Sequence, residues 1–130
     1  MPQQEIEMIL MRQLASYLAM PIFIVDSAGS LVFYNEPAES ILGRRFEETG
    51  EMSMSEWLIA FAPTDEKGVI IPHKELPLAI ALTERRPTHR LLWIRGLDNM
   101  QRHVEATCFP LIGQASRYLG AVAIFWEIAP

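Results

Sequence analysis

The last third of the sequence constrains the fold most strongly, because it contains three consecutive strand patterns separated by turn signals. Residues 88–95, 101–109 and 119–128 are rich in β-branched and aromatic residues. Gly, Pro or Asp-Asn interrupts the chain between them. The segment therefore predicts an antiparallel meander.

A second, shorter pair of strands lies near the start of the chain. Residues 22–25 and 31–34 are apolar and flank the sequence DSAGS at residues 26–30. In this sequence the Asp can bind its own backbone and the Gly can adopt a positive φ, both of which favour a reversal. The pattern predicts a β-hairpin.

Helical patterns fill the space between the hairpin and the meander. Asn35 is a predicted N-cap, and the helix that follows it ends at Gly43. Ser53 and Ser55 are alternative N-caps for a second helix, and residues 78–84 form a third. The order predicts an α+β fold in which short helices interrupt one antiparallel sheet.

Residues 3–19 predict an amphipathic helix with more apolar surface than one docking face requires. One alternative is that this helix packs along the sheet of its own domain, and the other is that it also meets a second copy of the chain. We divide the chain into this helix (residues 1–20) and a globular part (residues 21–130). The predicted dimer contacts are Ile6, Leu10, Leu14, Tyr17 and Leu18.

Composition and charge exclude several classes of protein. A net charge of -5 argues against nucleic acid as a partner, because phosphate binding needs clustered basic residues. The single cysteine, Cys108, allows no internal disulfide and suits a reducing compartment. Glu5, Glu7 and Arg12 interrupt the apolar N-terminal residues, which argues against a signal peptide or a membrane span. We therefore expect a cytoplasmic protein with no membrane partner.

Four segments match sequence motifs of one known family and occur in the same order. They are D-x-x-G at residues 26–29, N-x-x-A to L-G at residues 35–43, L-P-L-A-x-A-L at residues 76–82, and a closing strand pair at residues 109–128. The chain resembles a PAS domain of the bacterial sensor type from about Leu14 to Ile128. It departs from the family at the end of the last strand, where Glu-Ile-Ala replaces the usual Asp-Ile-Thr.

The resemblance implies a five-stranded antiparallel sheet with short helices on one face and a cavity between the two. It implies a non-catalytic sensory module that binds a small ligand or partner and signals through dimerisation, with an effector such as a histidine kinase, a diguanylate cyclase or a transcription regulator. The chain stops at Pro130, so the domain either acts in trans or is a fragment. The expected cavity lining is Asn35, Leu42, Trp57, Leu82, Leu92, Ile94, Ala106, Cys108, Ile124 and Trp126.

The cofactor stays unassigned at this stage. A haem sensor of this type is expected to supply a histidine from the helix at residues 78–84, which has none. The motif N-C-R-F-L-Q of covalent flavin sensors is missing, and noncovalent flavin remains open. His89 and His103 lack a third ligand type for zinc. Two other functions remain open, a ligand-free interaction domain that docks a kinase or transcription regulator, and a small α+β enzyme. For the enzyme, Glu105 is the only acidic candidate within a strand.

Overall fold

The structure is a computed structural model that describes residues 3–128, with side chains from Ile6 onwards. Two 3₁₀ turns, His73–Glu75 and Gln114–Ser116, accompany the regular elements. The α-helices and β-strands are, in chain order, α1 (Gln3–Tyr17), β1 (Ile22–Asp26), β2 (Leu31–Tyr34), α2 (Glu36–Leu42), α3 (Phe46–Thr49), α4 (Met54–Phe61), α5 (Pro77–Thr83), β3 (Thr88–Arg95), β4 (Gln101–Ile112) and β5 (Tyr118–Glu127).

The five strands form one sheet in the order β2-β1-β5-β4-β3, and every neighbouring pair is antiparallel. The predicted α+β fold is confirmed. β1 of the N-terminal hairpin joins β5 of the C-terminal meander over residues 22–26 and 120–124. The hairpin and the meander therefore belong to one layer, although about ninety residues separate β1 from β5 in the chain.

Most helix boundaries follow from capping chemistry that is visible in the sequence. The Asn35 side chain caps α2, and Gly43 ends that helix in the left-handed region with φ of 86°. Of the two alternative N-caps of α4, Ser53 is the one that binds the helix, and Glu56 completes its capping box. α3 was not predicted, since a four-residue helix has too few residues to show a periodicity.

β4 is three residues longer than predicted and continues through Pro110. The last pair between β3 and β4 joins Thr88 to Cys108, whereas β5 pairs with β4 as far as Ile112. Pro110 thus lies where β4 has no β3 neighbour that would need its missing N–H group. The predicted end at residue 109 was wrong because proline was treated as a strand breaker.

α1 covers part of the outer face of the sheet, and the other helices cover the inner face. Buried Ala15, with Met8, Met11 and Leu18, packs against an apolar cluster of β1, β4 and β5. Leu18 therefore faces its own sheet and not the exposed stripe to which the dimer prediction assigned it. Among the described residues, no helix is long and apolar enough to cross a bilayer.

A second contact fixes α1 to the β4–β5 connection. The Glu7 carboxylate accepts hydrogen bonds from the Arg117 guanidinium at 2.6 Å and from the Gln114 backbone N–H at 3.0 Å. A charged pair with an additional backbone donor holds one geometry better than an isolated surface pair does. The orientation of α1 on the sheet is set at both of its ends, by Glu7 and by Ala15.

Candidate functional site: an apolar cavity between sheet and helices

A cavity of about 90 Å³ lies between the inner face of the sheet and the short helices. Its floor comes from β1, β3, β4 and β5, and its roof from α2, α4 and the segment that leads into α5. The lining residues are Phe23, Leu42, Trp57, Phe61, Pro63, Leu76, Pro77, Leu78, Leu92, Ile94, Val104, Ala106, Cys108, Ala123 and Phe125.

Three small side chains on neighbouring strands account for the space above the floor. Cys108 pairs directly with Ala123, and Ala106 pairs with Phe125, so these four residues share the inner face. Ala106, Cys108 and Ala123 are small and therefore leave a depression in the inner face of the sheet. Larger side chains at these positions would fill it. The register of β4 against β5 thus places the void near the middle of the sheet.

Aromatic rings of β1 and α4 line one side of the cavity and are fixed by specific contacts. Phe23 packs edge-to-face against Trp57 with ring centres 5.6 Å apart, and against Phe61 at 6.2 Å. The Trp57 indole N–H donates to the Gly29 carbonyl at 2.8 Å. This bond anchors α4 to the β1–β2 turn and leaves the indole no free donor for a ligand.

Cys108 is the other lining side chain with a polar atom, and its thiol stays neutral. The residue is 1% exposed, and burial raises the pKa of its thiol to about 12. Because the thiolate is the reactive form, Cys108 has no nucleophilic role at neutral pH. The cavity surface formed by the described residues is apolar throughout.

The thiol provides a direct probe of whether the cavity wall opens. Because burial shields the Cys108 thiol and raises its pKa, a disulfide reagent such as Ellman's should not label native Cys108 within minutes at pH 8. In denaturant the labelling should be complete. Ser55→Cys in a Cys108→Ala background is the control, because Ser55 is exposed on α4 and should react at once. Rapid labelling of native Cys108 would mean that the wall opens easily.

Six of the predicted lining residues do surround the cavity: Leu42, Trp57, Leu92, Ile94, Ala106 and Cys108. They come from α2, α4, β3 and β4, and the strand alternation had placed Leu92 with Ile94, and Ala106 with Cys108, on one face of their strands. That they contact a ligand stays a prediction.

The other four predicted residues lie elsewhere. Ile124 and Trp126 point to the outer face, because pairing with β4 turns Ala123 and Phe125 inward. Leu82 packs against the inner core one helical turn beyond Leu78 and past the end of the cavity. Asn35 is buried at the start of α2, and its side chain faces α1 and β1.

Several lining residues were missed by sequence reasoning. The face of β5 could have been found from β4, because residues paired directly across two strands share a face. The proline-rich entry to α5 and the C-terminal end of α4 carry no signal that points to a cavity. The missed residues are Phe23, Phe61, Pro63, Leu76, Pro77, Leu78, Ala123 and Phe125.

Asn35 connects α2 to the C-terminal end of α1. Its amide N–H₂ donates to the Ala15 carbonyl at 2.9 Å and to the Met20 carbonyl at 2.8 Å, and its amide oxygen accepts from the Ile22 N–H at 2.9 Å. The same oxygen caps Ala38 in the first turn of α2. Asn35 is 1% exposed, and its bonds to Ala15, Ile22 and Ala38 are buried, whereas the bond to Met20 is partly buried.

The C-terminal end of α2 is fixed as well, by the β3–β4 turn. The Leu97 N–H donates to the Leu42 carbonyl at 2.7 Å, and the Arg102 guanidinium donates to the Ile41 carbonyl at 3.0 Å. Arg102 also binds Asp98, and these hydrogen bonds lower the pKa of the Asp98 carboxyl to about 2. α2 therefore contacts the cavity through Leu42 and is held at both of its ends.

The residues of the cavity do not suit the cofactors that sensors of this fold class often carry. A flavin ring has a polar imide edge that needs donors and acceptors, and this lining presents none of them. Leu76, Pro77 and Leu78 occupy the part of the wall where α5 begins, and none of them is an iron ligand. Within residues 3–128 no three His, Cys, Asp or Glu side chains converge on a possible metal position.

Glu105, the acidic candidate for an enzyme, lies on the outer face of β4. It pairs with Trp126 of β5, and its carboxylate is 3.6 Å from the His89 imidazole at the surface. It therefore faces away from the cavity.

No family model matches the sequence, and no curated protein matches it either. Solved structures do. The PAS domain of Bordetella pertussis BvgS superposes with a TM-score of 0.62 at 16% identity, over 95% of this chain and 87% of its own. The Rhodobacter sphaeroides LOV protein gives 0.69 at 16% identity, over 98% and 69%. A PAS domain from a two-component sensor histidine kinase gives 0.63 at 13% identity, over 97% and 100%.

These similarities extend over 95% or more of this chain. The chain has the fold of a PAS domain. At this level of identity the comparison establishes the fold, and function must be argued from the cavity and the surfaces of this molecule.

Proposed function

We propose that the chain is a non-catalytic sensory module that binds a small ligand in the cavity and signals through dimerisation. The observation that carries the proposal is the position of α2. Its Leu42 side chain lines the cavity, while Asn35 at its other end binds the carbonyls of Ala15 and Met20 at the exit of α1. A ligand that moves α2 would therefore also change the position of α1 on the sheet.

Such coupling requires that the ligand favour one arrangement of α1 over another. Glu7 and Asn35 hold α1 at two separate points, so a change at one of them alters the tilt of the helix on the sheet. The signal is then a change in the surface that α1 presents, and no chemical step is needed.

α1 presents an exposed apolar stripe that fits a second copy of the chain. The side chains of Leu10, Leu14 and Tyr17 are 57%, 55% and 82% exposed, with Ile6 and Ile9 on the same side. A continuous apolar stripe on a helix usually marks an interface. A parallel or antiparallel pairing of two α1 helices would bury it, and the output partner would be a kinase or regulator that reads this pairing.

Leu14→Glu tests the dimer surface. A charge at the centre of the stripe should convert dimers into monomers in size-exclusion chromatography with light scattering, because burying an unpaired carboxylate at an interface costs several kcal/mol. The circular dichroism spectrum should not change, since Leu14 does not pack against the sheet. Gln101→Glu is the control, because it adds the same charge at an exposed position outside α1.

If Leu14→Glu stays dimeric, the interface lies elsewhere, and a wild-type chain that is monomeric throughout would contradict dimerisation. Ligand binding is tested separately by native mass spectrometry of the purified protein. A retained small molecule supports the sensor. A protein that retains nothing, takes up no probe and still dimerises would favour the alternative, an interaction domain with a filled core.

A further inference from the structure

We propose that the cavity is a site for a small, neutral, wholly nonpolar molecule, such as a hydrocarbon no larger than a single aromatic ring. This inference rests on the proposed function, because it assigns a chemical class to the ligand of the same cavity. Three independent features of the cavity carry it: its lining, its size and the arrangement of its aromatic rings.

The lining offers a ligand no hydrogen bond of ordinary strength. Of its fifteen residues only Trp57 and Cys108 have a polar side-chain atom. The Trp57 N–H is already bound to the Gly29 carbonyl, and the Cys108 thiol is a weak donor that burial keeps neutral. A ligand that brought a hydroxyl, amide or charge into this space would lose its bonds to water and gain none in return.

The size of the cavity sets the upper limit. A volume of about 90 Å³ is below the roughly 150 Å³ of an engineered cavity that holds a single benzene ring. Water gains little there, since a stable buried water needs two to four polar partners. Engineered apolar cavities of about 150 Å³ stay dry and take up benzene or xenon. Small nonpolar molecules are therefore the expected occupants of the cavity in this protein as well.

The aromatic wall favours a flat ring over a chain. Phe23, Trp57, Phe61 and Phe125 all line the space, and Phe23 already packs edge-to-face with two of the others. An additional ring can enter the same edge-to-face pattern, which aromatic pairs prefer over stacking face to face.

Benzene and pyridine form the decisive pair of probes. They have the same shape, but pyridine carries one ring nitrogen that the cavity cannot satisfy. Titrations followed by methyl NMR signals of Leu92, Ile94 and Val104 should show benzene bound at least about tenfold more tightly than pyridine. Xenon under pressure should shift the same signals. Pyridine binding as tight as benzene binding at these signals would overturn the assignment to a nonpolar ligand.

Ala106→Val tests the location. The larger side chain fills part of the void, so benzene and xenon should no longer bind, while the melting temperature should rise or stay the same. Thr107→Val is the matched control, because this neighbouring residue points to the opposite face of the same strand. If Ala106→Val does not fold, Ala123→Val fills the cavity from β5. Retained benzene binding in a folded cavity-filled variant would contradict the assigned site.

The two proposals fail in different ways. If benzene and xenon do not bind, but native mass spectrometry finds a polar molecule that Ala106→Val releases, the nonpolar class is wrong and the sensor remains. If neither probe binds and no molecule is retained, the cavity is closed and both proposals fail.

Discussion

Replacing Gly120 by alanine should destabilise the protein by about 3 kcal/mol or more, because the new methyl group would collide with backbone that cannot move aside. A Cβ atom at this position would overlap the Val25 carbonyl oxygen and would lie 2.9 Å from the Asp26 Cα. Gly120 also has a φ of 153°, which side chains rarely allow. The strain falls on the β1–β5 ladder, where Gly120 pairs with Asp26.

Gly68→Ala is the matched control for Gly120→Ala. Gly68 also has a positive φ, of 78°, but nothing lies within 4 Å of its would-be Cβ. Its replacement should cost about 1 kcal/mol from the backbone conformation alone. Urea denaturation followed by tryptophan fluorescence measures both. Equal losses for the two variants would mean that the β1–β5 ladder can open around an added methyl group.

The position of Gly120 matters for function as well as stability. The β1–β5 ladder is what joins the hairpin to the meander and brings Phe23 opposite the small residues of β4 and β5. A looser ladder would widen the cavity on one side. A variant that still folds should therefore bind the benzene probe more weakly.

The sequence was most informative where local chemistry decides the structure. β2 and β3 have the predicted bounds, because turn residues flank them and they are rich in β-branched and aromatic residues. The caps of α2 were predicted for the same reason, since Asn35 and Gly43 have well-defined roles at helix ends. These features depend only on residues that are close in the sequence.

The sequence was least informative where both faces of a strand are covered. Residues 119–123 of β5 are all buried, because α1 packs on one side of the strand and the cavity wall forms on the other. The alternation of apolar and polar residues that reveals a face is then lost. This loss explains why Ile124 and Trp126 were placed in the cavity and Ala123 and Phe125 were not.

Asn35 shows a further limit of sequence reasoning. Its role as N-cap of α2 was predicted and is confirmed. Its hydrogen bonds to Ala15 and Met20 depend on how α1 packs on the sheet. No sequence pattern predicts that packing. The residue was expected in the cavity wall, and it is instead the buried link between α2 and α1.

Asn35→Ala should destabilise the protein by about 3 kcal/mol, because it removes a helix cap together with hydrogen bonds to three buried backbone groups. The Ile22 N–H and the carbonyls of Ala15 and Met20 would lose this partner. Ser53→Ala is the control, since Ser53 caps α4 at an exposed position and makes no comparable long-range bond. Its loss should be about 1 kcal/mol. Urea denaturation gives both values.

Asn35→Asp separates the cap from the link to α1. The aspartate keeps an oxygen that can cap α2 and accept from Ile22, but it replaces the donor group with an oxygen that faces the carbonyls of Ala15 and Met20. We expect a loss of about 2 kcal/mol from these unsatisfied groups. Hydrogen exchange should increase at residues 15–22, while the amides at the start of α2 stay protected. If Asn35→Asp is as stable and as protected as the wild type, Asn35 acts as a cap alone, and a ligand in the cavity has no such path to α1.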